Sequence, residues 1–271
     1  MNNLKTYFTI LLTALLTLPH NFTNAKEVII TDGSVARFDI TNDVKVSPYF
    51  TQHDFYNMES NEHLLLLENF TTYQQTTMYT CGPVVANMVV DHFLGKPLHS
   101  EMEAAKLMKC TQYNGTTTKN LRSYFKDLGW NVTSSTDTES PKTYTNFLNF
   151  VTTNLKDNTP IMVENVEWGG HWRIIIGYDN MNTTNTGDDV LILADPFDKA
   201  DHLQDGYTIV PAEKFFYMWF DAIRFAKGAN WKQWVVTKPY KKINDRLVMN
   251  TTCRFVYSKF CLSLFEVYGK I

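Results

Sequence analysis

Cys81, His171 and Asp195 have the types and surroundings that acyl transfer requires, with Gln75 as a fourth candidate. Cys81 opens the run Cys-Gly-Pro-Val-Val at the start of a helical pattern. A thiol there faces unpaired backbone N–H groups and the positive end of the helix dipole. Both favour the thiolate and raise its reactivity at neutral pH. Gly82 permits close backbone approach, and Pro83 is tolerated in a first helical turn, where its missing N–H has no partner to lose. Gln75 lies six residues before Cys81. Its amide N–H, with the Cys81 backbone N–H, is suited to hold the oxygen that becomes negative during acyl transfer. The neighbouring Gln74 is the competing candidate, and the spacing favours Gln75.

His171 follows Gly169-Gly170 and enters an apolar run. Its imidazole is placed to take the thiol proton and to return one to a leaving group. Asp195 ends the next apolar run, Leu-Ile-Leu-Ala-Asp-Pro, 24 residues after His171. A carboxylate there would accept the second imidazole N–H and fix the tautomer. Asp198 and Asp179 are the alternatives. Trp168 and Trp172 flank the histidine and would wall the site from water. No His, Cys, Asp or Glu spacing matches a metal-binding motif, so no metal or other cofactor is expected.

The elements that must position these groups follow from periodicity. Residues 81–94 read as a helix with Val84, Val85, Met88, Val89 and Phe93 on one apolar face, stopped by Gly95. Further helices are expected over 100–110, with a Ser100/Glu103 capping box, over 117–128, over 143–156 and over 213–220. Strands are expected at 27–30, 161–163, 172–178, 190–194, 207–210 and 231–236. Leu64 to Leu67 read as a buried element of open type. Helices cluster in the first half and strands in the second, which makes the fold class α+β rather than a wound parallel sheet.

Bulk properties narrow the function. The net charge is −3, with acids and bases mixed and no basic stripe, so neither nucleic acid nor an anionic membrane surface is an expected partner. With 44% hydrophobic residues, the chain has the material for a sizeable core. Residues 7–19 are apolar, shorter than the ~20 residues of a membrane span, and Thr23-Asn24-Ala25 follows with small residues. Residues 1–25 are therefore expected to be a signal peptide, which makes the protein secreted or a component of the periplasm or cell envelope. No later segment is apolar enough to span a membrane. The four cysteines, Cys81, Cys110, Cys253 and Cys261, are too few for a disulfide scaffold. Cys253 and Cys261 are the nearest pair, with paired and free thiols equally open, and Cys110 is expected to be a small buried hydrophobe. Asn-x-Thr sites such as Asn131 and Asn182 are expected by chance in an Asn- and Thr-rich chain.

Gln75-x5-Cys81-Gly82, Gly170-His171-Trp172 leading into Ile-Ile-Ile-Gly-Tyr, and Ala194-Asp195-Pro196 together resemble the C39-like branch of papain-fold cysteine peptidases. The resemblance covers roughly residues 70–220. It implies a papain-like fold, with a helical lobe carrying the nucleophile Cys81 and an antiparallel sheet lobe carrying the base His171 and its orienter Asp195, and Gln75 as oxyanion donor. It implies a peptide or protein substrate. The best-known members are cytosolic domains of ABC exporters that cut leader peptides after a double glycine, whereas here no transporter segments accompany the motifs. The corresponding organisation is a signal peptide at 1–25, an extension at 26–69, a catalytic domain at 70–220 and a C-terminal extension at 221–271 that packs on it. Two other functions share the motifs: a transpeptidase or acyltransferase using the same acyl-enzyme, and a catalytically silent papain-like binding or effector module.

Overall fold

The computed structural model describes residues 55–200, 204–221 and 232–240. The expected signal peptide, the strand at 27–30, and Cys253 and Cys261 lie outside the described residues. The elements run β1 Leu64–Leu66, α1 Cys81–Leu94, α2 Glu101–Leu107, α3 Thr118–Asp127, β2 Asn131–Ser134, α4 Tyr144–Lys156, β3 Ile161–Asn165, β4 His171–Asp179, β5 Val190–Ala194, β6 Tyr207–Pro211, α5 Ala212–Met218 and β7 Gln233–Lys238. A short 3-10 turn, Glu167–Gly169, joins β3 to β4.

Helix caps follow the sequence. Ser100 accepts from the Glu103 N–H while the Glu103 carboxylate accepts from the Ser100 N–H, closing the capping box. Thr117 and Thr143 cap α3 and α4 by accepting from the N–H three residues on. Helix α1 ends at Gly95, whose φ of 74° is the left-handed stop that glycine adopts without a Cβ penalty.

Every strand pairing is antiparallel, in the order β2-β7-β3-β4-β5-β6, with β1 paired to the far end of β4. The fold is thus α+β, as expected. The sheet reaches past the expected limits of 70–220 at both ends. Leu64, Leu65 and Leu66 pair with Asp179, Tyr178 and Gly177, and β7 is inserted between β2 and β3. The physical reason is that the backbone groups of β3 and of the end of β4 find their partners in these strands. Strand β7 also begins later than the run at 231–236 indicated.

Strand β4 is the middle of this arrangement. Residues 171–177 are all buried, which requires cover on both faces, and β4 is in contact with both α1 and α4. Helix α1 differs from its expected amphipathic form, because every residue from Cys81 to Asp91 is buried. It packs on β4, α2 and α3, so even its polar positions find internal partners. Asp91 accepts from the Tyr73 hydroxyl at 2.9 Å, and Asn87 donates to the His99 carbonyl at 3.0 Å. Among the described residues no helix is long and apolar enough to cross a membrane.

The burial of α1 makes a testable distinction. Met88→Ala, at a fully buried position, is expected to lower the unfolding free energy by about 2–5 kcal/mol in urea titrations. Leu94→Ala, at a half-exposed position on the same helix, is expected to change it by less than about 0.5 kcal/mol.

Candidate active site

Cys81 is the first residue of α1 and is 7% exposed. Thr80 precedes it with no side-chain cap of its own, so the loop is held from elsewhere. The Glu101 carboxylate accepts from the Thr76 N–H at 2.9 Å and from the Thr80 hydroxyl. Thr77 and Thr80 share a further hydrogen bond at 2.7 Å. The first residue of α2 therefore clamps the turn that presents the thiol. Gly82 is needed for close packing, since a Cβ there would lie 2.4 Å from Thr116. The Thr116 carbonyl accepts from Trp172 Nε1 at 2.8 Å, which ties the helical side to β4. Trp172 is 2% exposed and works as this tie, while Trp168 is 67% exposed.

His171, the first residue of β4, is 3% exposed, and its Nε2 lies 2.7 Å from Asp195 Oδ1. The Cys81 thiol acts on the same ring, and with Nε2 engaged by Asp195 the nitrogen left to meet it is Nδ1. Burial is the largest influence on this imidazole and pulls its pKa down. The bond to Asp195, the neighbouring Cys81 thiol and the charges of both act the other way, and the value is pushed up to about 9. Asp195 shows the complementary balance. Burial works to raise its pKa, but the His171 bond, the His171 and Arg173 charges and the Phe197 N–H hold it below the usual carboxylate value. Asp179 and Asp198 are engaged elsewhere. Asp179 faces His63 at 3.0 Å, and Asp198 accepts from the Ala200 and Gly206 N–H groups.

The structure thus brings Cys81, His171 and Asp195 together. Gln75 is adjacent but aimed differently, its amide donating to the Thr77 carbonyl at 2.7 Å. Its neighbour Gln74 donates to the Asp195 carbonyl at 2.9 Å and accepts from the Asp198 N–H at 3.1 Å. Gln75 adds a backbone bond to Pro196 O at 2.7 Å. The glutamine pair therefore fastens the loop before Cys81 to the loop that carries Asp195.

Two ionisable groups near the site were not singled out from the sequence. Arg173, 3% exposed, has Nη1 3.6 Å from Asp195 Oδ2 and 3.0 Å from Glu167 Oε2. Period-2 alternation was the available signal, since Arg173 is two residues from His171 on the same strand. Glu164, 4% exposed, has its pKa raised to about 9 by burial first and the Asp221 charge second. Cys110 is half-buried and donates its thiol to the Tyr79 carbonyl at 3.2 Å, with burial raising its pKa. Among the described residues no cluster of His, Cys, Asp and Glu is arranged to hold a metal ion.

A cleft of about 280 Å³ opens beside Cys81, between residues 112–117 of the helical side and Glu164, Trp168, Gly169, Gly170, Trp172 and Gln233 of the sheet side. Trp168 is a non-glycine residue at φ 57°, and its ring meets Phe197 edge-on at 5.6 Å. Phe197 in turn meets the His171 ring at 6.5 Å. A strained, exposed aromatic at the mouth of a cleft is a feature that functional sites concentrate.

An α+β scaffold with a thiol on a helix start facing an imidazole on a strand start defines the class implied by the motifs. The model of the Peptidase_C39 like family matches residues 67–225, and the chain belongs to that family. A solved double glycine motif protease from an AMS/PCAT transporter, in complex with the leader peptide, aligns with it at 11% identity and a TM-score of 0.37, over 63% of this chain and 91% of that one. A search of curated proteins returned no match.

The raised His171 pKa carries a stability consequence with a defined sign. A histidine whose folded pKa exceeds its ordinary value contributes stability that is fully present below about pH 6.5 and is lost as pH rises through about 9. The difference in unfolding free energy between wild type and Asp195→Asn, from urea titrations at several pH values, is expected to narrow across that window.

Proposed function

We propose that this chain is an exported cysteine peptidase that hydrolyses peptide bonds through Cys81, His171 and Asp195. The observation that carries the reading is His171, hydrogen-bonded to Asp195 and under the influence of the Cys81 thiol, beside an open cleft that Cys81 lines. Family membership supports the reaction class, since C39-like sequences are grouped with cysteine peptidases.

The proposed chemistry runs in two halves. Cys81 Sγ, its proton passed to His171, attacks the substrate carbonyl carbon, and the carbonyl oxygen takes the negative charge. The tetrahedral intermediate collapses, the C–N bond breaks, and His171 gives its proton to the departing amine, leaving a thioester. Water then loses a proton to His171 and attacks the thioester. The C–S bond breaks, the acid product leaves, and the thiol is regenerated. Asp195 stays ionised throughout and keeps the ring oriented. The Cys81 backbone N–H is the first oxyanion donor. Gln75 is the second through the amide N–H that does not serve Thr77, an assignment compatible with its position before α1. The apolar residues 7–19 followed by Thr23-Asn24-Ala25 support export.

Two measurements test this. With a mixed peptide library and mass-spectrometric product analysis, the protein is expected to release fragments ending in free carboxylates. Cys81→Ala should abolish release, and Asp195→Asn should lower it by roughly 10² to 10⁴-fold. Intact library under all conditions, or products made equally by Cys81→Ala, would remove the proposal. Expression in a secreting host should give a mature chain beginning at Lys26, read by N-terminal sequencing. A mature chain that retains residues 1–25 would contradict export.

A further inference from the structure

The cleft contains a carboxyl group that the proposed reaction does not use. Glu164 sits on β3, opposite Trp172 of β4 and opposite Gln233 of β7. It is 4% exposed, yet it lines the cleft together with Cys81. A buried relay fixes which of its oxygens is engaged. The Thr118 hydroxyl donates to Gln233 Oε1 at 2.7 Å, which turns the Gln233 amide so that Nε2 donates to Glu164 Oε2. The other oxygen, Oε1, takes no hydrogen bond from any described residue. It lies against Gly170, where an added Cβ would stand 2.7 Å away. Gly170 therefore leaves the approach to Oε1 open.

The charges around Glu164 decide what that oxygen offers. Among the described residues no lysine or arginine acts on it, and His171, its one cationic neighbour, is committed to Asp195. Burial and the Asp221 and Cys81 charges outweigh the Gln233 bond and the His171 charge, and the Glu164 pKa is pushed up to about 9. The acid is neutral at neutral pH and has one O–H. Oε2 already accepts from Gln233, so the proton belongs on Oε1. The relay thus presents an uncharged O–H donor to the cleft. An ammonium finds no carboxylate to pair with at Glu164, and an anion would approach the same Asp221 and Cys81 charges that already act on the acid. The complement of this group is an uncharged acceptor, without which a buried donor is left unsatisfied.

Resting on the peptidase reading, we propose that Glu164 is a specificity-determining residue of the cleft beside Cys81, where its Oε1–H donates to an amide carbonyl oxygen of the bound peptide. Two sources carry such an oxygen: the carboxamide of a glutamine or asparagine side chain, or a backbone carbonyl of the peptide.

The test is binding, so that it does not depend on turnover. Cys81→Ala, as the full chain, is titrated by calorimetry with acetylated pentapeptide amides. In one series glutamine, norleucine or lysine is moved through the positions. In the other, each backbone amide is replaced in turn by an alkene. Loss of one particular carbonyl is expected to weaken binding about tenfold. If norleucine in place of glutamine produces the loss, the oxygen is a side-chain carboxamide; if an alkene does, it is a backbone carbonyl. Lysine is expected to bind no tighter than norleucine. Adding Glu164→Leu should erase the tenfold difference, whereas Glu164→Gln, whose amide N–H replaces the O–H, should keep it. A pH series supplies a readout that a merely structural role would not move. With Glu164 the difference should fade as pH rises toward about 9, somewhat earlier than in wild type because the Cys81 charge is gone, and with Glu164→Gln it should stay flat. Both proteins keep His171, so its titration cancels, and this contrast holds even where Glu164→Leu fails to fold. Binding indifferent to every carbonyl, no binding at all, a difference that survives Glu164→Leu, or the same pH dependence with Glu164→Gln overturns the proposal. Alkylation of Cys81 in the wild type separates this from the peptidase reading, because a reactive Cys81 with no such carbonyl preference sinks only the role of Glu164.

Discussion

The 2.7 Å contact between His171 Nε2 and Asp195 Oδ1 is the interaction on which the rest of the site depends. Both residues are buried, and a charge taken out of water is costly unless it is paired and hydrogen-bonded. The pair meets that condition with added support from Phe197 N–H and Arg173 on the carboxylate. Breaking either partner would leave the other buried without compensation. The contact also decides direction. With Nε2 committed to Asp195, only Nδ1 remains to meet the thiol, so a hydrogen bond on one side of the ring assigns the function of the other.

That geometry needs rigid supports, and the fold supplies them from two directions. His171 begins β4 and Asp195 follows β5, and these adjacent strands place the two residues side by side. Cys81 is fixed by α1, buried all round over its first eleven residues, so the thiol cannot shift without disturbing the core. The loops between are fastened by polar side chains with few other duties. Glu101 holds the turn before Cys81, Gln74 joins that turn to the Asp195 loop, and the Trp172–Thr116 bond spans the cleft floor. Preorganisation of this kind means that the reacting groups need little rearrangement on meeting a substrate.

Much of this was legible in the sequence, for identifiable reasons. Helical spacing and caps located α1 to α4, and apolar β-branched runs located β3 to β6. Cys81, His171 and Asp195 stood out because each begins or ends an element. What escaped has physical causes. Strand β2, Asn-Val-Thr-Ser, is polar and mostly open to solvent, so it carries no apolar alternation and is a strand only because β7 pairs with it. Helix α1 has polar residues on the side opposite its apolar face, and only tertiary neighbours show that this side is buried as well. Glu164 was hidden because a buried acid runs against the hydrophobic pattern of the strand that contains it. The role of Gln74 depends on which loop lies across from it, information that no local window contains. Spacing favoured Gln75 as the donor, but the Thr77 carbonyl two residues on sets where its amide points.

The central claim is that Cys81 and His171 act as one unit, and thiol alkylation measures this most directly. Folded protein is treated with iodoacetamide across pH and read by peptide mass spectrometry, beside His171→Ala. The account predicts fast labelling confined to Cys81, already present below neutral pH and strongly slowed in the variant. Slow or unselective labelling that is unchanged without His171 would contradict it and leave a peptidase-like scaffold without the chemistry.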